Sequence, residues 1–276
     1  MKIRTYIIIL LLLGFLHAGE RIVTLSPAIN EIVYALGAGD QVVGNTTYAL
    51  YPEASKGVAK VGGYFSPNLE KILSLKPTLV IMQPNNRKLA KQLASLHIPT
   101  MIVPIDRLSH ITQAITDLGS VLHKEHKAKE IVSRITDALE ALKGIVSGQK
   151  ILIVFGHNTK ITGNIFVAGQ NLYFDDIINA SGNTNALHSL RKGQPVLNRE
   201  NIIALNPDIV ILLAHSMKER GLSRDDLIAP WLALPVNAAK NHHIYIIDKA
   251  YSGIPSDRLV LFLDDLKAIL HAVKDH

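Results

Sequence analysis

The chain has 276 residues, with 29 Lys and Arg against 23 Asp and Glu for a formal net charge of +6, and 48% hydrophobic against 19% charged residues. That balance excludes a disordered chain, and 18 Gly with 12 Pro exclude a collagen-like or linker-like one. The charge is too mild to favour nucleic acid, and the length suits one large domain or two smaller ones, each with its own core.

Lys2 and Arg4 precede an apolar run from Tyr6 to Leu16 that ends in His17-Ala18-Gly19. This reads as a cleaved secretory leader over residues 1–19, since a transmembrane helix needs roughly 20 apolar residues. Cysteine is absent, so there is no disulfide framework, thiolate metal site, cysteine nucleophile or lipid-bearing cysteine.

Beyond the leader, residues 21–25 read as a strand. Ser26-Pro27 opens a helix, with Ser as N-cap and Pro at the first position. Ile29, Ile32, Val33 and Leu36 form its stripe and Gly37 its stop. Residues 41–44 are the next strand, and Ser66-Pro67 opens a second helix by the same chemistry. Residues 78–82 form an unbroken apolar strand of the buried kind, 86–96 a helix, and 100–103 a strand. Such alternation implies a parallel sheet covered by helices. No strand signal appears from about 107 to 147. There Ala128, Ile131, Val132, Ile135, Leu139, Leu142 and Val146 fall on one face of a helix over 124–146, roughly 35 Å long at 1.5 Å per residue. Strands follow at 151–155 and 165–168, then a helix at 170–180. Further strands fall at 208–213 and 243–247, with a closing amphipathic helix at 255–272.

The chain also repeats itself. Residues 68–81 align without gaps on 198–211, with seven of 14 positions identical. Each copy is a short helix, a proline that ends it, and a buried strand. The expected fold is α/β: two Rossmann-like lobes joined by a single long α-helix. The lobes span 20–122 and 148–276, with the linking helix over 123–147. A continuous linking helix resists hinge bending, so little closure on ligand is expected.

This order of motifs resembles the helical-backbone class of periplasmic solute-binding proteins, which serve ABC importers for cobalamin, haem, iron–siderophore and other metal chelates. The stretches that carry the resemblance include 21–27, 31–40, 61–63, 67–70, 198–200, 205–207 and Pro230-Trp231. It implies a periplasmic, non-enzymatic monomer that delivers a chelate to a permease. In such proteins a glutamate on each lobe docks on permease arginines, and Glu70 and Glu200 occupy the matching positions. Both also fall in a helix first turn, where the dipole favours a carboxylate.

Ligands of open parallel sheets bind beyond the carboxyl ends of the strands. Loops at those ends supply Ser26, Pro27, Tyr48, Tyr64 and Asn85 from the first half. From the second they supply His157, Arg191, His215, Tyr251 and Arg258. The tyrosines can stack on a bulky ligand, and the resemblance favours an aromatic at Tyr64. Arg191 and Arg258 can neutralise an anionic chelate. His157 or His215 can complete the shell of a bound metal, but no protein-only metal cage is expected, because the cleft loops of the first half lack histidine. The lone Trp231 gives no tryptophan-lined corrin cleft, which favours an iron–siderophore over cobalamin as cargo. No cofactor is expected. The alternative of another class, a secreted α/β hydrolase, lacks a Gly-x-Ser-x-Gly elbow, and no phosphate-binding loop is present.

Overall fold

The computed structural model describes residues 20–189 and 194–275. The leader over 1–19 and Arg191 therefore lie outside the described residues. The first half comprises β1 (Ile22–Thr24), α1 (Pro27–Ala35), β2 (Val42–Asn45), β3 (Ala59–Lys60), α2 (Leu69–Ser74), β4 (Leu79–Met82), α3 (Arg87–Ser95) and β5 (Thr100–Ile102). Two helices follow, α4 (Leu108–Val121) and α5 (Glu125–Glu140). The second half opens with β6 (Lys150–Phe155), β7 (Ile165–Val167), α6 (Tyr173–Ala180), β8 (Thr184–Asn185) and β9 (Val196–Leu197). It closes with α7 (Arg199–Leu205), β10 (Ile209–Leu213), α8 (Arg224–Leu232), α9 (Asn237–Lys240), β11 (Ile244–Ile247) and α10 (Leu259–Lys274).

The halves are separate sheets. The first is parallel throughout, in the order β3-β2-β1-β4-β5. The second runs β11-β10-β6-β7-β9, parallel on the β10 side of β6 and antiparallel through β7, with β8 also paired to β6. Alternate residues of the central strands serve opposite faces. Val23, Val80 and Met82 pack in an outer cluster with α2 and α3, and Leu152, Val154, Val210 and Leu212 in another with α7 and α8. The intervening residues Ile22, Ile81, Ile151, Ile153, Ile209 and Ile211 join one continuous inner cluster with α1, α4, α5, α6 and α10. The two halves therefore share a core.

The single linking helix expected over 123–147 is shorter, and it is not alone. His123 adopts a left-handed φ of 55°, which divides α4 from α5, and α5 ends at Glu140, before the positive-φ Gly144. The stripe of apolar residues beyond 140 lies instead in turns packed on the inner cluster. The second helix begins at Leu69, capped by the Asn68 side chain on Lys71 N at 2.9 Å, so Ser66-Pro67 precedes it. Helix α8 was not expected, because Pro230 lies inside it; a capping box of Ser223 and Asp226 starts it.

The α4–α5 contact depends on Gly119, where an added Cβ would lie 2.4 Å from the Ala128 Cβ. In an open helix Gly→Ala gains up to about 1 kcal/mol. Here Gly119→Ala is expected to destabilise by about 1–3 kcal/mol through overpacking, read as a lower denaturant midpoint. A raised midpoint would mean that the two helices part without cost.

Candidate functional site

A cleft of about 540 Å³ opens between the halves. Ser26, Pro27, Tyr48, Tyr64, Phe65 and Gln83 form its first wall, with Gly253 to Pro255 opposite. The first wall collects loops that follow β1, β2, β3 and β4, on the side where a parallel sheet presents its ligands. Ser26 is the N-cap residue of α1 by backbone geometry, yet its hydroxyl makes no cap bond. It accepts instead from Gln83 Nε2 at 2.8 Å, and Gln83 Oε1 accepts from the Tyr64 hydroxyl at 2.8 Å. Burial raises the Tyr64 pKa. The Tyr64 and Phe65 rings meet edge to face with centroids 4.5 Å apart. Phe65 is 84% exposed and Tyr48 69%, so the wall offers large aromatic surface beside a short row of uncharged polar groups.

Two devices hold that wall. Gly62 has φ 113°, and a Cβ there would lie 2.6 Å from the Ser66 carbonyl oxygen, so only glycine closes the loop that carries Tyr64 and Phe65. The loop bearing Tyr48 is pinned by a buried polar network. Lys60 Nζ donates to Asn45 Oδ1 at 2.7 Å and to the carbonyls of Ala49 and Ser55 at 3.0 and 3.1 Å. Asn30 Nδ2 donates to the Tyr51 carbonyl at 3.0 Å and to Ser55 Oγ at 2.8 Å.

The other expected residues divide. Asn85 is exposed in the turn after β4, two residues past Gln83, and does not line the cleft. His157 and His215, at the ends of β6 and β10, come together: His157 Nε2 donates to the His215 carbonyl at 2.6 Å, and the rings are 6.1 Å apart. Neither lines the cleft. No group of three or more His, Asp or Glu side chains arranged to hold a metal occurs among the described residues. Tyr251 donates to Asp265 Oδ2 at 2.9 Å on α10, and burial with that carboxylate pushes its pKa up to about 12. Arg258, expected to meet an anionic chelate, is buried and forked onto Glu31 of α1, with Nε 2.9 Å from Oε2. Its charge is spent within the protein. Glu70 and Glu200 are exposed in the first turns of α2 and α7, as expected. Phe65 and Gln83, in loops the sequence placed at the cleft but not among the expected site residues, line it, and the Asn30–Asn45–Lys60 network behind that wall was missed. Phe65 was legible as an aromatic next to Tyr64.

Comparison with known proteins agrees with this geometry. The family model described as periplasmic binding protein matches residues 22–251, and the chain belongs to that family. An uncharacterised ABC transporter substrate-binding lipoprotein of Bacillus subtilis, YvrC, is 29% identical over 256 residues, covering 90% of this chain and 78% of YvrC. The vitamin B12-binding protein of Vibrio vulnificus is 27% identical over 249 residues, covering 90% of this chain and 88% of its own. The apo structure of the periplasmic heme-binding protein RhuT from Roseiflexus sp. RS-1 superposes with a TM-score of 0.76 at 27% identity, covering 93% of this chain and 99% of RhuT. The family's members are binding proteins of transport rather than enzymes, and they work outside the cytoplasm.

Asp257, beside the Glu31–Arg258 pair, has a buried Oδ1 with no hydrogen-bond partner among the described residues. Burial first, and the Glu31 charge second, raise its pKa from 3.8 to about 6; Arg258 and Arg134 oppose them. The folded chain thus holds a proton that the unfolded chain releases, so this group's contribution to stability falls as pH rises from 3.8 to about 6. Asp257→Asn is expected to flatten the pH dependence of the melting temperature across that window. An unchanged slope would contradict the assignment.

Proposed function

We propose that this chain is the periplasmic binding component of an ABC importer, capturing a metal chelate of the tetrapyrrole kind, haem or a corrin, between its two lobes. The exposed aromatic wall carries this reading. Large apolar side chains kept in water at a concave site mark a surface that a ligand covers. Ring faces at Tyr48, Tyr64 and Phe65 suit a broad macrocycle, and the row from Tyr64 to Ser26 suits its polar edge. The names of two relatives point the same way, one being a B12-binding and one a heme-binding protein. A ferric siderophore, favoured by the pairing of tyrosine with arginine, loses half of its cationic support once Arg258 is tied to Glu31. In this reading residues 1–19 are a cleaved leader, and 20–122 and 148–276 are the lobes on either side of a connection over 123–147 that contains α5. With no cysteine to carry lipid, the protein is a free periplasmic monomer. It acts through small closure and without a bound cofactor.

The reading is tested by a thermal-shift screen with haemin, cyanocobalamin, a ferric hydroxamate and nickel–histidine. A true ligand at 100 times its dissociation constant stabilises by about 2.7 kcal/mol. Phe65→Ala is expected to weaken binding of that ligand by about 1.5–3 kcal/mol, the worth of one buried aromatic. Stabilisation by the ferric hydroxamate alone would replace the tetrapyrrole with a siderophore.

Glu70 and Glu200 are the proposed contacts to the permease, through charge-assisted bonds to its arginines. Reversing both to Lys is expected to abolish uptake in cells while ligand affinity of the purified protein stays at the parental value. Uptake that survives the double reversal would remove the assignment.

A further inference from the structure

Each wall of the cleft runs directly into a buried charge. Ser26, Pro27 and Ala28 begin α1, and Glu31 follows one turn later; Gly253, Ile254 and Pro255 face them, and Ser256 and Arg258 come next. Glu31 is 3% exposed, Arg258 9% and Ser256 0%. Both carboxylate oxygens are engaged: Oε2 accepts from Arg258 Nε at 2.9 Å and from the Ser256 hydroxyl at 2.6 Å, and Oε1 accepts from Arg258 Nη2. Tyr51, from the loop that also carries Tyr48, lies under the guanidinium with its ring centre 3.8 Å away. Neither charged side chain lines the cleft.

We infer that Glu31 and Arg258 are positioning residues that set the separation and angle of the cleft walls, and thereby the ligands the cleft admits. A fork of two parallel hydrogen bonds onto a carboxylate has one geometry, held in plane and in register. Two apolar side chains in the same place would have many. Stability does not account for the pair, since replacing a buried ion pair by apolar residues of similar volume is often neutral or stabilising. Register is the better-attested use of such a pair. A second tie between the halves, Arg107 on Asp176 with Leu108 N donating to Asp176 Oδ2 at 2.8 Å, together with the shared inner core, holds them together when the first is cut. Cutting the first therefore changes the angle between the halves while they stay joined.

The effect on ligand rests on the reading of the cleft as the binding site; the effect on geometry does not. Because the chain has no cysteine, spin labels can be placed at Lys88→Cys on α3 and Lys240→Cys on α9, both exposed. Pulsed electron resonance then measures the distance between the halves in the parent, in Glu31→Met/Arg258→Met and in Arg258→Lys. The parent should give one narrow distribution. The double Met variant should melt near the parent, give a broader and shifted distribution, and bind haemin or cyanocobalamin, whichever the parent binds, about tenfold or more weakly. If the double variant unfolds, Arg258→Lys, which keeps the charge and loses the fork, carries the test with the same expected broadening. A parental distribution in the folded variant overturns the inference, and so does parental affinity at parental stability. A parent that binds neither probe removes the tetrapyrrole reading and leaves the distance measurement to decide the positioning role.

Discussion

Glu31 sits in the middle of α1 with 3% of its surface exposed, and an unpaired carboxylate at that depth costs several kcal/mol. Among the described residues, the side-chain hydrogen bonds it receives come from Ser256 and Arg258, more than two hundred residues away. The first half can therefore bury α1 in its native place only when the start of α10 is docked on it. The same need recruits Tyr51 to cover the guanidinium, and Tyr51 in turn is held by the Asn30 amide. One buried charge thus joins α1, the loop after β2 and the start of α10, three of the segments that border the cleft.

The shared inner core serves the same end by non-directional means. Five helices lie against facing surfaces of two sheets, and their apolar contacts resist separation without fixing an angle. Polar ties supply direction at two places. Asp176 of α6 accepts from Leu108 N, satisfying one of the unbonded amides at the start of α4, and Arg258 grips Glu31 beside the cleft. The cleft has walls of backbone-anchored loops and a rim of exposed aromatics. Gly62, Lys60 and Asn30 fix the backbone of the loops that carry Tyr64, Phe65 and Tyr48.

The parts of the fold legible in the sequence were those whose signal is local. Buried strands such as 78–82 and 151–155 read as continuous apolar runs, and the offset repeat announced two related halves. Two-residue strands such as β3, β8 and β9 are too short to carry a period, and their pairing is set by the partner strand. The break between α4 and α5 was hidden because His123, the residue with positive φ, is not one that marks a turn. At the site, Ser26, Pro27, Tyr48 and Tyr64, expected from loop position, line the cleft. The same rule misled for Arg258 and Tyr251, since sequence shows that a group stands near a cleft and not whether a distant carboxylate already holds it. Glu31 and Asp265 are those carboxylates, and their partners are decided only by tertiary contact.

The repeat allows a finer division between folding and use. Of its seven identical pairs, Asn68 and Asn198 cap their helices, each accepting from the backbone amide three residues on. Ile72 and Ile202 are fully buried under the sheets, and Pro77 and Pro207 are buried after a residue of left-handed φ, 47° at Lys76 and 45° at Asn206. Val80 and Val210 fill the outer faces, Ile81 and Ile211 the inner ones, while Leu75 and Leu205 pack at the edges of the outer clusters. Each of these identities has a reason in packing or capping. Glu70 and Glu200 do not: both are exposed, and neither has an ion-pair partner among the described residues. The helix dipole rewards an acid there by only about 0.3–1 kcal/mol, and α1 and α4 form with no acid in their first turns. Folding therefore leaves the matched glutamates unexplained, whereas a permease that offered a basic patch to each half would require the same charge at the same place twice.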